Sequence, residues 1–146
     1  PGFLKPSGHA TALFDASTEL VDSLATYGKL LSEQDYTVNG LVVVLTDGLD
    51  NASKFRPNDV KAALARAGMA ESLESIVTIL IGVNVTETVV SQQLSKFKDE
   101  AGFQQYVEAK DASPKTFAKI AGFISRSVSS QSQSVGSKQA SQPVTF

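Results

Sequence analysis

Seven segments of the chain carry apolar residues at regular spacings, and the spacings are of two kinds. The run from Leu41 to Leu45 is entirely apolar and the run from Ile76 to Ile81 nearly so, and both are rich in β-branched residues. Such runs are typical of strands buried on both faces, as in a parallel sheet covered by helices. With a weaker segment at 104–108, the pattern predicts three strands, at 41–46, 76–82 and 104–108.

The other four segments have apolar residues at helical spacing. Their predicted buried faces are, in chain order, Leu13, Leu20, Leu24, Tyr27 and Leu31; Val60, Ala63, Leu64 and Ala67; Val90, Leu94 and Phe97; and Phe117, Ile120, Ala121, Ile124 and Val128. Asn58 is expected to cap the second helix, with Gly68 just past its end. Gly102 is expected to end the third helix, and Ser113-Pro114 is a typical start for the fourth.

Strands therefore alternate with helices, which predicts an α/β fold with a doubly wound, mainly parallel sheet and helices on both faces. We expect one domain over residues 1–130 and a Ser/Gln-rich flexible tail over residues 131–146. Typical sheets have about 5–6 strands, so a segment that pairs with the 41–46 strand is expected to be missing from this chain. With that strand at the sheet edge, the isolated chain should self-associate or aggregate.

The composition excludes several classes of function. The chain has 146 residues, 42% of them hydrophobic, and a formal net charge of −2, so neither a nucleic-acid partner nor a membrane partner is expected. The absence of cysteine excludes thiol catalysis, thiolate metal sites and disulfides, and it fits a cytoplasmic location. No apolar run approaches the roughly 20 residues that span a bilayer.

Candidate chemistry lies at the end of the first predicted strand, where Thr46-Asp47-Gly48 forms a polar turn. Ligands of open α/β sheets bind at the carboxyl ends of strands. Asp47 is therefore either a turn-forming residue or a functional carboxylate. Thr11, just before the first helix, is either an N-cap or a second oxygen donor. His9 is the only histidine and cannot form a metal cluster, so it is expected in an exposed loop.

The segment Val42 to Asn51 resembles the fourth strand and following loop of a von Willebrand factor type A domain. The segment Ser7 to Ala16 is similar to that family's Gly-x-Thr-x-Leu loop. Later strand and helix patterns extend the resemblance over residues 7–130, in the family's order. The resemblance implies a Rossmann-like fold with a divalent cation, Mg²⁺ or alternatively Mn²⁺ or Ca²⁺, at the carboxyl edge of the sheet, in the metal-ion-dependent adhesion site.

By position, the resemblance makes Thr11 and Asp47 ligands of that ion. It also puts His9, Asp50 and Asn51 at the rim where family members contact their ligands, although Asp50 and Asn51, together with Ser53, are expected first of all to organise their own loop. The family's Asp-x-Ser-x-Ser loop has no match before Thr11. The resemblance therefore implies that the N-terminal part of the domain is missing. Mg²⁺ prefers six oxygen ligands, so its binding to the isolated chain is expected to be weak or absent.

Three functions remain open at this point. The resemblance implies a non-catalytic interaction module, in which a carboxylate of a protein partner completes the coordination of the ion. An α/β hydrolase or phosphotransferase using Asp47 is an alternative, but no lysine follows the second predicted strand and no nucleophile elbow or phosphate loop is visible. The third is a structural or assembly domain with no ion site. By analogy alone, the chain is similar to small bacterial or phage members, some of which accompany stress or tellurite-resistance systems.

Overall fold

The computed structural model describes residues 10–137 and 142–146. Within them, helices and strands alternate in the order α1 (Leu13–Ser32), β1 (Asn39–Thr46), α2 (Pro57–Met69), β2 (Ser75–Gly82), α3 (Thr88–Ala101), β3 (Gln105–Glu108) and α4 (Pro114–Ser137). The strands form one parallel sheet in the order β1-β2-β3. The predicted α/β class, with a three-stranded parallel sheet flanked by helices, is therefore confirmed. In the part of the chain that is described, no helix is both long and apolar enough to cross a membrane.

The sheet separates two hydrophobic clusters. Because neighbouring residues of a strand point to opposite faces, Val42 and Val44 of β1 join the cluster beneath α1, α2 and α3, whereas Leu41 and Val43 face α4. The helices α1, α2 and α3 lie side by side, with α2 in the middle. Leu45 continues the α4 face but is 44% exposed. The prediction that this strand is buried on both faces is therefore wrong at Leu45, which lies on the edge strand of the sheet.

The buried face of α1 is rotated from the predicted one. Leu20 and Tyr27, expected in the core, are 42% and 61% exposed, whereas Val21 and Gly28 are buried. Gly28 lies so close to Leu73 that an added Cβ would sit 2.7 Å from the Leu73 Cδ2 atom. Gly28 thus lets α1 approach the connection between α2 and β2 more closely than a residue with a side chain would.

The buried face of α4 is also rotated. Ile120 is buried as predicted, but its main companion is Phe123, which has no exposed surface, while Phe117 and Val128 remain 46% and 45% exposed. The start of this helix agrees with prediction: Ser113 Oγ accepts a hydrogen bond from the Thr116 backbone N–H at 3.2 Å. A serine cap followed by proline is therefore sufficient to set the helix start, but apolar spacing is not sufficient to choose its buried face.

The predicted flexible tail does not begin at Gln131, because α4 continues to Ser137. The Gln131 side chain is 4% exposed, and its Nε2 donates to Gly40 O at 2.8 Å and to Ser75 Oγ at 2.9 Å. This amide ties the helix to the amino ends of β1 and β2. Asn39 and Gly40 form the first part of β1.

Residues 142–146 lie alongside α4 on the side of β3. The Phe146 ring packs edge-on against Phe123 at 5.4 Å between ring centroids, and Lys119 Nζ lies 4.3 Å from the Phe146 ring centroid. Gln105 Nε2 of β3 donates to Val144 O at 2.7 Å. These last five residues therefore have apolar and backbone contacts of their own.

The ends of α2 differ from prediction, whereas the end of α3 agrees with it. Arg56, not Asn58, is the N-cap of α2, and Pro57 takes the first helical position, where its missing N–H costs nothing. Gly68 lies inside the last turn of α2 instead of following it. Gly102 follows α3 with a φ of 82°, the left-handed conformation that commonly ends helices.

Candidate functional site

The carboxyl ends of the three parallel strands form one edge of the sheet. Backbone hydrogen bonds continue the ladder to this edge, from Val83 N to Thr46 O and from Ala109 N to Gly82 O, each at 2.8 Å. The buried Thr46 hydroxyl donates to Gly48 O at 2.8 Å and shapes the turn that follows β1. Asp47 stands in that turn with an exposed side chain.

The loop after β1 caps the N-terminus of α1. The Phe14 N–H lies 3.1 Å from Asp50 Oδ2 and 3.0 Å from Ser53 Oγ, and the Asp15 N–H donates to Ser53 Oγ at 3.0 Å. The Ser53 hydroxyl donates in turn to the Asp50 carboxylate. The N-cap residue Ala12 has no side chain that could accept these N–H groups. A distant loop therefore supplies the acceptors that the first turn of a helix requires.

Asp15 completes the contact from the helix side. Its carboxylate accepts the backbone N–H of Phe55 at 2.8 Å and that of Lys54 at 3.1 Å. The hydrogen bond from the Phe55 backbone is the main cause that holds the pKa of Asp15 below its usual value. Helix and loop thus bind each other reciprocally, and we call Asp15, Asp50 and Ser53 with the backbone groups they bind the helix–loop clamp.

Thr11 lies against the same loop. Its N–H donates to Asn51 Oδ1 at 2.7 Å, and its carbonyl accepts from Asn51 N at 3.0 Å and from Ala52 N at 3.2 Å. Because Ala12 is the N-cap of α1, the interpretation of Thr11 as a helix cap is wrong. The backbone bonds bring Thr11 to the loop that contains Asp47, at the carboxyl edge. The rim candidate His9 lies outside the described residues.

These groups do not amount to a magnesium site by themselves. Both carboxylate oxygens of Asp50 accept hydrogen bonds within the clamp, one of them from the Ser53 N–H at 3.2 Å. Within residues 10–137 and 142–146 there is no group of three or more His, Asp or Glu side chains that could hold a metal ion. Thr11 and Asp47 would offer one hydroxyl and one carboxylate to an ion that prefers six oxygens. The residues described do not fit a complete site.

The sequence carries a signal for part of the clamp. Asp50 and Ser53 are three residues apart, the spacing at which a side-chain oxygen closes a turn by accepting the N–H three residues on, as at a helix N-cap, and the Ser53 N–H does bind Asp50 Oδ1. What no local pattern indicates is the partner of that turn, because Phe14 and Asp15 lie 36 to 39 residues earlier in the chain.

A second polar cluster, which sequence reasoning missed, lies at the end of β3. Glu108 accepts the Tyr106 hydroxyl at 2.7 Å and Lys110 Nζ at 3.3 Å. Its hydrogen bond with Ser91 of α3 is the first cause that lowers the pKa of Glu108, whereas burial is the first cause that raises the pKa of Tyr106 above its ordinary value. Alternation along a strand gives the signal, since residues 106 and 108 share a face.

In comparisons with protein-family models, curated proteins and solved structures, none matches this chain. The likeness of residues 7–130 to a von Willebrand factor type A domain therefore rests on the motifs and the order of the elements.

Proposed function

We propose that the chain is part of a non-catalytic protein-binding module of the von Willebrand factor A type, with the carboxyl edge of the sheet as its binding surface. The observation that supports this proposal is the helix–loop clamp, which ties the segment of Thr11 to the loop that follows Asp47. Open α/β sheets bind ligands at this edge. A loop with both ends fixed offers a partner a surface that loses little conformational entropy on binding.

The ion in this proposal is Mg²⁺, or Mn²⁺ or Ca²⁺, and this chain contributes only part of its coordination. Thr11 and Asp47 are the proposed ligands from this chain. The remaining oxygens would come from a polypeptide segment outside it and from a carboxylate of the protein partner. Asp50 keeps its structural role in the clamp, and Asn51 contributes to the rim through its position beside Thr11.

The polar cluster at β3 holds no group that is poised to transfer a proton at neutral pH. A general acid or base works best with a pKa near the operating pH. Burial moves the pKa of Tyr106 upwards and hydrogen bonding moves the pKa of Glu108 downwards, so both shifts lead away from neutrality. At pH 7 the phenol stays protonated and the carboxylate stays ionised, which suits a fixed structural pair.

A phosphotransferase is the second candidate, because the structure has a lysine at a later strand end after all. Lys110 follows β3 and lies at the same edge of the sheet as Asp47, although it is bound to Glu108 at 3.3 Å. This candidate predicts that acetyl phosphate transfers one phosphoryl group to Asp47, detectable by intact mass. The binding-module proposal predicts no such product, and phosphorylation of Asp47 would contradict it.

The proposed binding of a divalent cation at Thr11 and Asp47 is tested with Mn²⁺, whose unpaired electrons broaden the NMR signals of nearby amides even when binding is weak. For the full chain, we expect Mn²⁺ to broaden the backbone signals of Thr46, Asp47 and Thr11 first, with a dissociation constant on the order of 1 mM, as for weak oxygen-ligand sites. Asp47→Asn should abolish this selective broadening.

The matched control is Asp99→Asn, which removes an exposed acid of α3 and should leave the broadening at Asp47 unchanged. Broadening spread evenly over the exposed acids, with no effect of Asp47→Asn, would refute the proposed ion site. Micromolar affinity of the isolated chain in titration calorimetry would refute the statement that the chain supplies only part of the coordination.

A further inference from the structure

The outer edge of β1 pairs with no other strand in the part of the chain that the structure describes. Glu74 N donates to Val38 O and Val83 N donates to Thr46 O, so the even-numbered residues of this segment turn their backbone groups towards β2. The odd-numbered residues from Asn39 to Leu45 therefore turn their N–H and C=O groups outwards. No other described strand lies on that side, because β1 is the end of the sheet order.

Apolar side chains of α1 flank this edge on one face of the sheet. Arg66 of α2 binds Asp22 of α1 at 3.0 Å, which identifies the side of α1 that faces α2. Leu20 and Tyr27 lie on the opposite side of the helix, and Leu30 is the neighbour of Tyr27 one turn further on. These three residues are 42%, 61% and 52% exposed. The side of α1 that is turned away from α2 therefore carries Leu20 and Tyr27, whereas Leu30 lies nearer the solvent-facing side that also carries Glu19.

Apolar side chains of α4 flank the same edge on the other face. The segment 142–146 lies between α4 and β3 and contacts the side of α4 that carries Lys119. Phe117 and Val128 lie on the opposite side of the helix, towards β1, and both are nearly half exposed. Leu45, on the same face of the sheet, is 44% exposed.

Charge is absent from this side of α4. The charged residues of the helix are Lys115, Lys119 and Arg126. At 100° per residue, all three fall on the side of residues 142–146. The side that faces the edge of β1 consists of apolar and small hydroxyl side chains, so an incoming segment would meet no charge there. We call the β1 edge with Leu20, Tyr27, Leu45, Phe117 and Val128 the strand slot.

The dimensions of the layers determine what fits into the slot. Strands in a sheet lie about 4.8 Å apart, whereas packed helices lie about 8–10 Å apart. The three helices α1, α2 and α3 therefore span about twice the width of the three strands below them, and α1 projects over the position of a fourth strand. One added strand fits beneath α1, whereas a second copy paired edge to edge would bring its own α1 into the same space.

We propose that the strand slot accepts one extended, uncharged apolar segment of a partner polypeptide as a fourth strand of the sheet. The outward N–H and C=O groups supply the main-chain hydrogen bonds, as in other cases of strand addition. Both faces of the added strand must be apolar, because α1 covers one face and α4 flanks the other.

The exposed apolar surface of the slot is modest. At roughly 150–200 Å² for each large apolar residue, the exposed fractions of Leu20, Tyr27, Leu45, Phe117 and Val128 amount to roughly 400 Å². An added strand that covers this area loses a comparable area of its own, so about 800 Å² would be buried in total, which is the size of a weak, transient contact that the main-chain hydrogen bonds supplement.

The experiment uses the full chain and a synthetic peptide that copies residues 75–82, because this segment already pairs with β1 and is apolar on both faces. Lysines added at both ends keep the peptide soluble. Hydrogen exchange of the chain alone should be fast at the odd-numbered amides of β1 and slow at the even-numbered ones. Saturating peptide should slow exchange at the odd-numbered amides, and the same peptide with proline at its Leu80 position should not.

Variants of the chain locate the binding. Leu45→Lys, and independently Val128→Lys on α4, should weaken peptide binding by about tenfold or more, because a lysine ammonium would lose its hydration in the slot. Met69→Lys is the matched control, since Met69 is 84% exposed on α2, away from the slot, and it should bind the peptide unchanged. Asp47→Asn should also leave peptide binding unchanged, so this proposal can fail or succeed independently of the proposed ion site.

Three results would overturn the proposal. One is the absence of added protection in β1 at saturating peptide. Another is a dimer in sedimentation velocity that Leu45→Lys dissociates, which would mean that a second copy occupies the edge. The third is a monomer whose odd-numbered β1 amides are protected without peptide, which would mean that another part of this chain already covers them.

Discussion

Removing the Asp50 carboxylate should destabilise the whole domain, although Asp50 lies in a loop. In Asp50→Ala, the Phe14 N–H loses one of its two acceptors and Ser53 loses the acceptor of its hydroxyl. Loss of a helix cap costs typically about 1 kcal/mol, and loss of a negative charge beside a helix N-terminus costs about 0.3–1 kcal/mol. We expect the free energy of unfolding to fall by about 1.5–2 kcal/mol.

Urea denaturation monitored by circular dichroism measures this change. The midpoint should fall while the slope of the transition with urea stays the same, because the surface exposed on unfolding does not change. In thermal unfolding, the same loss corresponds to a decrease of roughly 3–8 °C in the midpoint, at about 2–4 °C per kcal/mol for a chain of this size. Ser53→Ala should have a similar effect, since Ser53 Oγ accepts two of the same helix N–H groups.

The matched control is Asp47→Ala, which removes an exposed acid three residues earlier in the same loop and should change stability by less than about 0.5 kcal/mol. The double variant of Asp50 and Ser53 should be less destabilised than the two single variants added together, because the two side chains act on the same N–H group. The clamp would be refuted as the element that holds this loop if Asp47→Ala and Asp50→Ala lowered the free energy of unfolding equally. Strict additivity of the stability losses of the Asp50 and Ser53 variants would refute it as well.

Two further predictions concern α4 and the approach of α1 to its neighbours. The hydrogen bond from Ser113 is the first cause that lowers the pKa of Asp111, from 3.8 to about 2. The stabilising contribution of the ionised Asp111 carboxylate should therefore be complete above pH 4 and lost as the pH falls towards 2. Asp111→Asn should accordingly be less stable than the wild type at pH 7 and equally stable near pH 2, and a constant difference across that range in urea titrations would contradict the assignment. Gly28→Ala should be destabilising by up to about 2 kcal/mol, because a Cβ that lies 2.7 Å from Leu73 costs about 1–3 kcal/mol and alanine recovers about 1 kcal/mol through its helix propensity. Gly68→Ala, where nothing lies within 4 Å of the added Cβ, should be neutral or stabilising by up to about 1 kcal/mol. Equal destabilisation of both variants in thermal unfolding would refute the close approach.

The sequence predicts the elements of this fold well because their causes are local. Unbroken apolar character and β-branching within Leu41–Leu45 and Ile76–Ile81 are sufficient to predict strands, and Ser113-Pro114 and Gly102 set helix ends through the conformations of their own backbones. The order of the elements then limits the sheet to a parallel one. Each of these inferences depends on residues within a few positions of one another.

The buried faces of the helices depended on tertiary contacts. In α1 and α4 the apolar residues exceed what one face can hold, so the sequence alone permits more than one rotation. Packing of Gly28 against Leu73 and burial of Phe123 selected the faces that are observed. The large residues left outside by this choice, among them Tyr27 and Phe117, are those that flank the free edge of β1.

For the candidate site, the sequence by itself located Thr11 and Asp47 at loop positions next to the ends of elements. Only the tertiary structure brought Thr11 to the loop after β1 and gave the clamp its partners. The physical reason is that hydrogen bonds between residues 36 to 40 positions apart have no periodic signature. They form only when packing of α1 on the sheet places the N–H groups of its first turn, which have no acceptor within the helix, beside a loop whose side-chain oxygens can accept them.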